Sequence, residues 1–167
     1  MTLGLSLSAF TTLHVVLSLI GLLSGVVVVF GMLAGQRLPT WTALFLATTI
    51  LTSVTGFMFP FSRLLPSHMV GIISLLVLAI AVPAYYGFRL AGPWRWVYVV
   101  TAVIALYLNA FVAVVQAFQK LPVLAPLAPT QSEPPFVAAQ LALLVIATLL
   151  VALAVRAFHP EAQQVLS

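Results

Sequence analysis

The stretch SAFTTLHVVLSLIGLLSGVVVVFGML, Ser8 to Leu33, contains no charged residue. An α-helix rises about 1.5 Å per residue, so about 20 mostly apolar residues cross the hydrocarbon core of a bilayer, which is about 30 Å thick. This stretch is longer than that minimum. It therefore predicts a membrane-spanning helix.

Four more apolar runs of comparable length follow, and short linkers that contain Pro or Gly separate most of them. The runs cover 41–61, 67–89, 94–118 and 135–157. Strands of a transmembrane barrel alternate apolar and polar residues over about ten positions, and these runs do not. The sequence predicts an all-α fold in which one integral membrane domain, 1–167, forms a bundle of five transmembrane helices.

The composition indicates that lipid, rather than water, surrounds most of this chain. Hydrophobic residues make up 63% and charged residues 5%, whereas an ordinary soluble domain is about 25% charged. The lipid bilayer is therefore the expected partner. The few cations form no cluster that would neutralise phosphates, which argues against nucleic acid. Cysteine is absent, so disulfides, thiolate nucleophiles and thiolate metal sites are excluded.

The basic residues predict an orientation. Five helices place the termini on opposite sides, here called side X (the N-terminal side) and side Y. Positively charged loop residues are retained in the cytoplasm. Four arginines fall on side Y against two basic residues on side X. The small size and the lack of a recognisable signal peptide favour a bacterial inner membrane. We expect the N-terminus outside and the C-terminus in the cytoplasm. The residues on side Y are Arg37, Arg89, Arg95 and Arg156, and those on side X are Arg63 and Lys120.

Helical spacing gathers polar residues near side X. Asn109, Gln116 and Lys120 follow one face of the fourth helix at i, i+7 and i+11. An amide in hydrocarbon costs several kcal/mol unless it finds a partner, so the two amides should point into the bundle. We predict a polar vestibule on the external face, capped by the Pro-rich loop 121–134. Its substrate-binding candidates are His14, Arg63, His68, Asn109, Gln116, Lys120, Glu133 and Gln140.

Two histidines open the first and the third helix in a similar way. The sequence separation between His14 and His68 equals that between Pro39 and Pro93, which lie in the two turns on side Y. This pattern suggests a tandem repeat of two helical hairpins plus one extra helix. Histidines on facing helices can bind a haem b iron from both sides. The alternatives are histidines that bond lipid headgroups or backbone, and a zinc site that would need Glu133 as a third ligand.

No motif for phosphate binding, nucleophilic catalysis or metal hydrolysis is present. The sequence thus predicts a non-enzymatic carrier or an accessory subunit, which forms a homo-oligomer or joins a larger membrane complex. The alternative is an electron carrier that binds haem b through His14 and His68. Pro83, within the third apolar run, predicts a kink.

Overall fold

The computed structural model describes residues 4, 6–59 and 66–160. Within them, all long elements are helical, which confirms the predicted all-α bundle. Four are long and apolar enough to cross a membrane: α1, α3 with the turn that continues it, α4 and α5. The helices are α1 Leu7–Leu33, α2 Pro39–Gly56, α3 Pro66–Val82, α4 Trp94–Lys120 and α5 Pro134–Ala157.

Helix α2 is shorter and more polar than predicted. The apolar run 41–61 suggested a longer helix, but α2 ends at Gly56 and a turn follows. Its threonines offset their polarity locally, because each hydroxyl can donate to the carbonyl four residues back. Thr48 bonds Leu44 O and Thr49 bonds Phe45 O, both at 2.7 Å. At 18 residues, α2 lies at the low end of the range for a membrane span.

Helix α4 holds the bundle together. Helices α1 and α2 pack as one antiparallel pair and α3 and α4 as another, while α4 also contacts α1 and α5. Side chains of α4 supply much of the core, including the fully buried Val99 and Val103, which lie with Phe45 of α2. Helix α5 is the outermost element, since Ala154 is its one fully buried residue.

The predicted kink at Pro83 takes the form of a π-helical turn, Pro83–Gly87, which continues α3. Proline has no N–H to donate, so the regular helical bonding stops there. The wider turn closes through Phe88 N–H, which donates to Pro83 O at 2.8 Å. Arg89 and Leu90 then adopt positive φ angles of 51° and 66°. The turn thus leads the chain sharply into α4.

Contacts between helix ends show which residues share an end of the bundle. Arg95, in the first turn of α4, donates to the carbonyls of Val155 and Phe158 at the end of α5, at 2.9 and 2.5 Å. Arg37 lies over the ring of Tyr85 at 5.3 Å. The side Y residues predicted from the sequence therefore lie at one end. Arg63, predicted on side X, lies outside the described residues.

Candidate functional site

Polar side chains line the contact between α1, α2 and α4 in the half of the bundle toward side X. We call this set the polar seam. It arises because α1 carries small residues at helical spacing, which lets the neighbouring backbones approach closely. Its members are His14, Ser18, Thr48, Thr49, Thr52, Thr55 and Asn109.

His14 bonds to α2 across this seam. Its Nδ1 lies 2.8 Å from Thr55 Oγ1, and the Thr55 hydroxyl donates its own proton to Leu51 O at 2.7 Å. Since a hydroxyl has a single proton, Nδ1–H of His14 must be the donor. The ring also packs edge-on against Phe59, with 5.2 Å between centroids. His14 is therefore half-buried and oriented by α2.

Asn109 and Ser18 form a reciprocal pair between α4 and α1. Ser18 Oγ donates to Asn109 Oδ1 at 2.9 Å, and Asn109 Nδ2 donates to Ser18 O at 3.2 Å. Asn109 is buried. An unpartnered amide in hydrocarbon would be costly, and these two hydrogen bonds remove that cost. The sequence predicted that Asn109 points inward, and its partner is a serine backbone and side chain rather than another predicted residue.

The polar seam is tightly packed around Gly21. A methyl group on Gly21 would lie 3.1 Å from Asn109 Nδ2 and 3.2 Å from Thr49 Oγ1. One buried oxygen at this level, Thr52 Oγ1, has no hydrogen-bond partner. Most of the seam's polar groups are thus bonded to protein.

His68 packs near the end of α2 against different residues from those that His14 contacts. It is 5% exposed, and its ring lies 5.6 Å from the ring of Phe57. His14 contacts Thr55 and Phe59 instead, and α1 and α3 share hardly any contact. A bis-histidine haem needs two rings that approach one iron from opposite faces. The haem hypothesis stays a prediction, tested by a reduced-minus-oxidised spectrum of wild type, His14→Ala and His68→Ala.

The remaining candidates near side X lie at different levels. Gln140 Nε2 donates to Phe111 O at 3.2 Å, while its Oε1 is buried without a partner. Gln116 is half-buried and Lys120 is exposed in the last turn of α4. Arg63 lies outside the described residues. The structure therefore brings His14 and Asn109 into the polar seam and leaves Gln140 bonded to α4 alone.

Glu133 is engaged within the Pro-rich loop. Its carboxylate accepts hydrogen bonds from Thr130 N at 3.1 Å, Thr130 Oγ1 at 2.8 Å and Ser132 N at 3.1 Å. Desolvation raises the pKa of Glu133, but these hydrogen bonds outweigh it and hold the pKa below its usual value. Gln131 donates to Val115 O at 3.2 Å and fixes the loop to α4. The carboxylate thus orders the loop.

No metal cluster accompanies these residues. Across the described ranges, no three side chains of His, Asp or Glu lie close enough together to hold an ion. The zinc hypothesis needed His14, His68 and Glu133 together, and Glu133 bonds Thr130 and Ser132.

A second polar site lies at the opposite end, where the sequence indicated no ligand. A cavity of about 10 Å³ opens there between α1, α2, α4 and the π-helical turn. The hydroxyl of Tyr85, which lines it, is buried without a hydrogen-bond partner. The sequence offers one signal for this site, the pair Tyr85-Tyr86 shortly after the kink predicted at Pro83. The lining residues are Val28, Met32, Gln36, Arg37, Leu38, Thr42, Tyr85, Tyr98 and Phe158.

The chain was compared with protein-family models, with curated proteins and with solved structures, and no match was found. The geometry of the polar seam and of the cavity beside Tyr85 is therefore the basis for inferring a function.

Proposed function

We propose that this protein is a non-enzymatic accessory subunit of a membrane complex in a bacterial inner membrane. The observation that carries the proposal is the reciprocal Ser18–Asn109 pair. It commits the most deeply buried amide near side X to holding α1 against α4. A side chain whose amide is engaged by hydrogen bonds to a neighbouring helix is suited to scaffolding rather than to binding and releasing a substrate.

The outer helix supports a role in assembly. Helix α5 buries Ala154 and leaves most of its large apolar side chains exposed, including Val145 and Leu149, each 56% exposed. Apolar side chains in a membrane can face lipid or a partner helix, and association there depends on packing. The accessory-subunit proposal assigns this face of α5 to a partner.

Single-cysteine crosslinking tests the assignment, because the chain has no cysteine of its own. Cysteine at Val145 or Leu149 should crosslink to one partner of defined mass in native membranes. Cysteine at Leu23, which is 70% exposed on α1, is the matched control and should stay uncrosslinked. If the chain runs as a single copy at native expression and neither Val145 nor Leu149 crosslinks, the proposal is wrong.

The same approach reports orientation. We propose that α2 crosses the membrane in addition to the other four helices, which places the N-terminus outside and the C-terminus in the cytoplasm. A membrane-impermeant maleimide applied to intact cells should label cysteine at Ser132, in the loop before α5. It should label cysteine at His159, just after α5, only in opened cells. The reverse pattern would invert the orientation.

A carrier with an external vestibule is the second candidate. Two buried oxygens toward side X, Thr52 Oγ1 and Gln140 Oε1, have no hydrogen-bond partner. Unsatisfied buried acceptors favour a polar ligand or water there. Proteoliposomes test this: flux of small polar solutes should exceed that of protein-free vesicles and fall in Thr52→Val and Gln140→Leu. Flux equal to the protein-free control removes this candidate.

A further inference from the structure

The cavity at side Y is small and has a partly polar lining. Its volume of about 10 Å³ holds about one water-sized group. A larger ligand would therefore send a single atom into the cavity and keep its remainder at the mouth. The polar lining consists of Gln36, Arg37, Thr42, Tyr85 and Tyr98.

Tyr85 supplies an unused donor to this cavity. The residue is 5% exposed and its hydroxyl has no partner, whereas buried Tyr hydroxyls usually have one. The π-helical turn sets its position, and Leu90 N–H closes the following turn on Ala84 O at 3.1 Å. Turns of this kind occur frequently at functional sites. What Tyr85 lacks is an acceptor oxygen.

Arg37 supplies positive charge beside the same cavity. Its guanidinium lies over the Tyr85 ring, 5.3 Å from the centroid, which leaves the N–H groups at its edge available to an acceptor. The sequence has two acidic residues. Of these two acidic residues, Glu133 lies within the described ranges, in the loop near side X. The described part of side Y therefore presents cations without a carboxylate.

The aromatic residues around the cavity indicate that it lies near the lipid headgroups. Trp41 and Trp96, 45% and 48% exposed, mark the same end of the bundle, and tryptophans prefer the headgroup region of a bilayer. Arg95 and Arg89 belong to this end as well. Basic pockets between transmembrane helices on the cytoplasmic side are suited to anionic headgroups.

From this geometry we propose that the cavity at side Y binds a phosphate group, which places one anionic oxygen between the Tyr85 hydroxyl and the Arg37 guanidinium. The phosphate belongs to an anionic phospholipid or is free inorganic phosphate, since both offer the same oxygen. Because Tyr98 holds Thr42 only through a long bond of 3.4 Å, its hydroxyl can turn toward the same oxygen.

Two arms of one experiment test the proposal on the full chain. In the first, wild-type protein is extracted from membranes of phosphatidylcholine and phosphatidylglycerol, and native mass spectrometry measures retained lipid. In the second, inorganic phosphate is titrated calorimetrically into protein in phosphatidylcholine nanodiscs. Retained phosphatidylglycerol identifies lipid as the source of the phosphate, and heat of binding in the second arm identifies free phosphate.

Four variants distinguish phosphate binding in the cavity from general attraction to the positive charge of side Y. Tyr85→Phe and Arg37→Gln should each weaken binding about ten-fold or more, as expected for a lost hydrogen bond to a charged group. The matched controls, exposed Tyr86→Phe and exposed Arg156→Gln, should bind as wild type does.

Tyr85→Phe keeps the ring that packs 4.9 Å from Tyr98, so it decides the question if Arg37→Gln fails to fold. Unchanged binding in Tyr85→Phe overturns the proposal. So do equal losses in Arg37→Gln and Arg156→Gln, or no binding in either arm.

Discussion

Gly25 lies where α1 packs closely against both α2 and α4, and Gly25→Ala should destabilise the bundle. The new methyl would lie 2.7 Å from Leu106 Cδ1 and 2.8 Å from Phe45 Cε2, well inside the usual carbon contact of about 3.5 Å or more. Leu106 can rotate, but the Phe45 ring is fully buried and can give way only by displacing its packed neighbours. Overpacking of this kind costs about 1–3 kcal/mol. Alanine returns about 0.5–1 kcal/mol in a helix, so the mid-values leave a net loss of about 1 kcal/mol.

The assay is reversible unfolding in detergent micelles, followed by the fluorescence of the three tryptophans. Gly56→Ala is the control, because its methyl would meet His14 Cε1 at an ordinary 3.7 Å and should leave the free energy of unfolding unchanged or raise it slightly. Adding Phe45→Leu to Gly25→Ala should recover part of the loss. If Gly25→Ala alone proves as stable as wild type, the close approach of α1 to α2 and α4 is wrong.

Three other side-chain contacts give measurable outcomes. A double-mutant cycle of Ser18→Ala and Asn109→Ala should give a coupling of about 0.6 kcal/mol in unfolding free energy, and purely additive losses would contradict the pair. The pKa of Glu133 is lowered on folding, so its carboxylate orders the loop above its unfolded pKa. Proteolysis of that loop should rise as pH falls through the folded pKa, and Glu133→Gln should abolish this dependence. Arg95→Gln should speed amide exchange at Phe158, whose carbonyl Arg95 binds, while the exposed Arg156→Gln should not.

Hydropathy located the helices well because it depends on the length of apolar runs. The predicted spans 94–118 and 135–157 differ from α4 and α5 by at most two residues at each end. The run 41–61 overestimated α2, since Phe57 to Phe59 are apolar but not helical. Hydropathy alone does not distinguish an apolar turn from an apolar helix.

The sites were harder to predict, because pairing across helices is a tertiary property. Spacing showed that Asn109 should face inward, and it does. It could not show that Ser18 would be the partner, since helix rotation decides which small residue on α1 meets α4. Tyr85 was missed for a related reason: its burial depends on the π-helical turn, and the sequence showed only a proline before two tyrosines.

The helices of the bundle differ in length, which bears on the bilayer thickness that each of them matches. Helix α2, with 18 residues, reaches about 27 Å, while α1 and α4, with 27 residues each, reach about 40 Å. With α2 as the fifth span that we propose, lipid beside α2 would thin slightly, and α1 and α4 would tilt or project into the headgroups. The proposed span α2 thus favours a thinner bilayer than α1 and α4 do, and tilting of the two long helices would reconcile the difference.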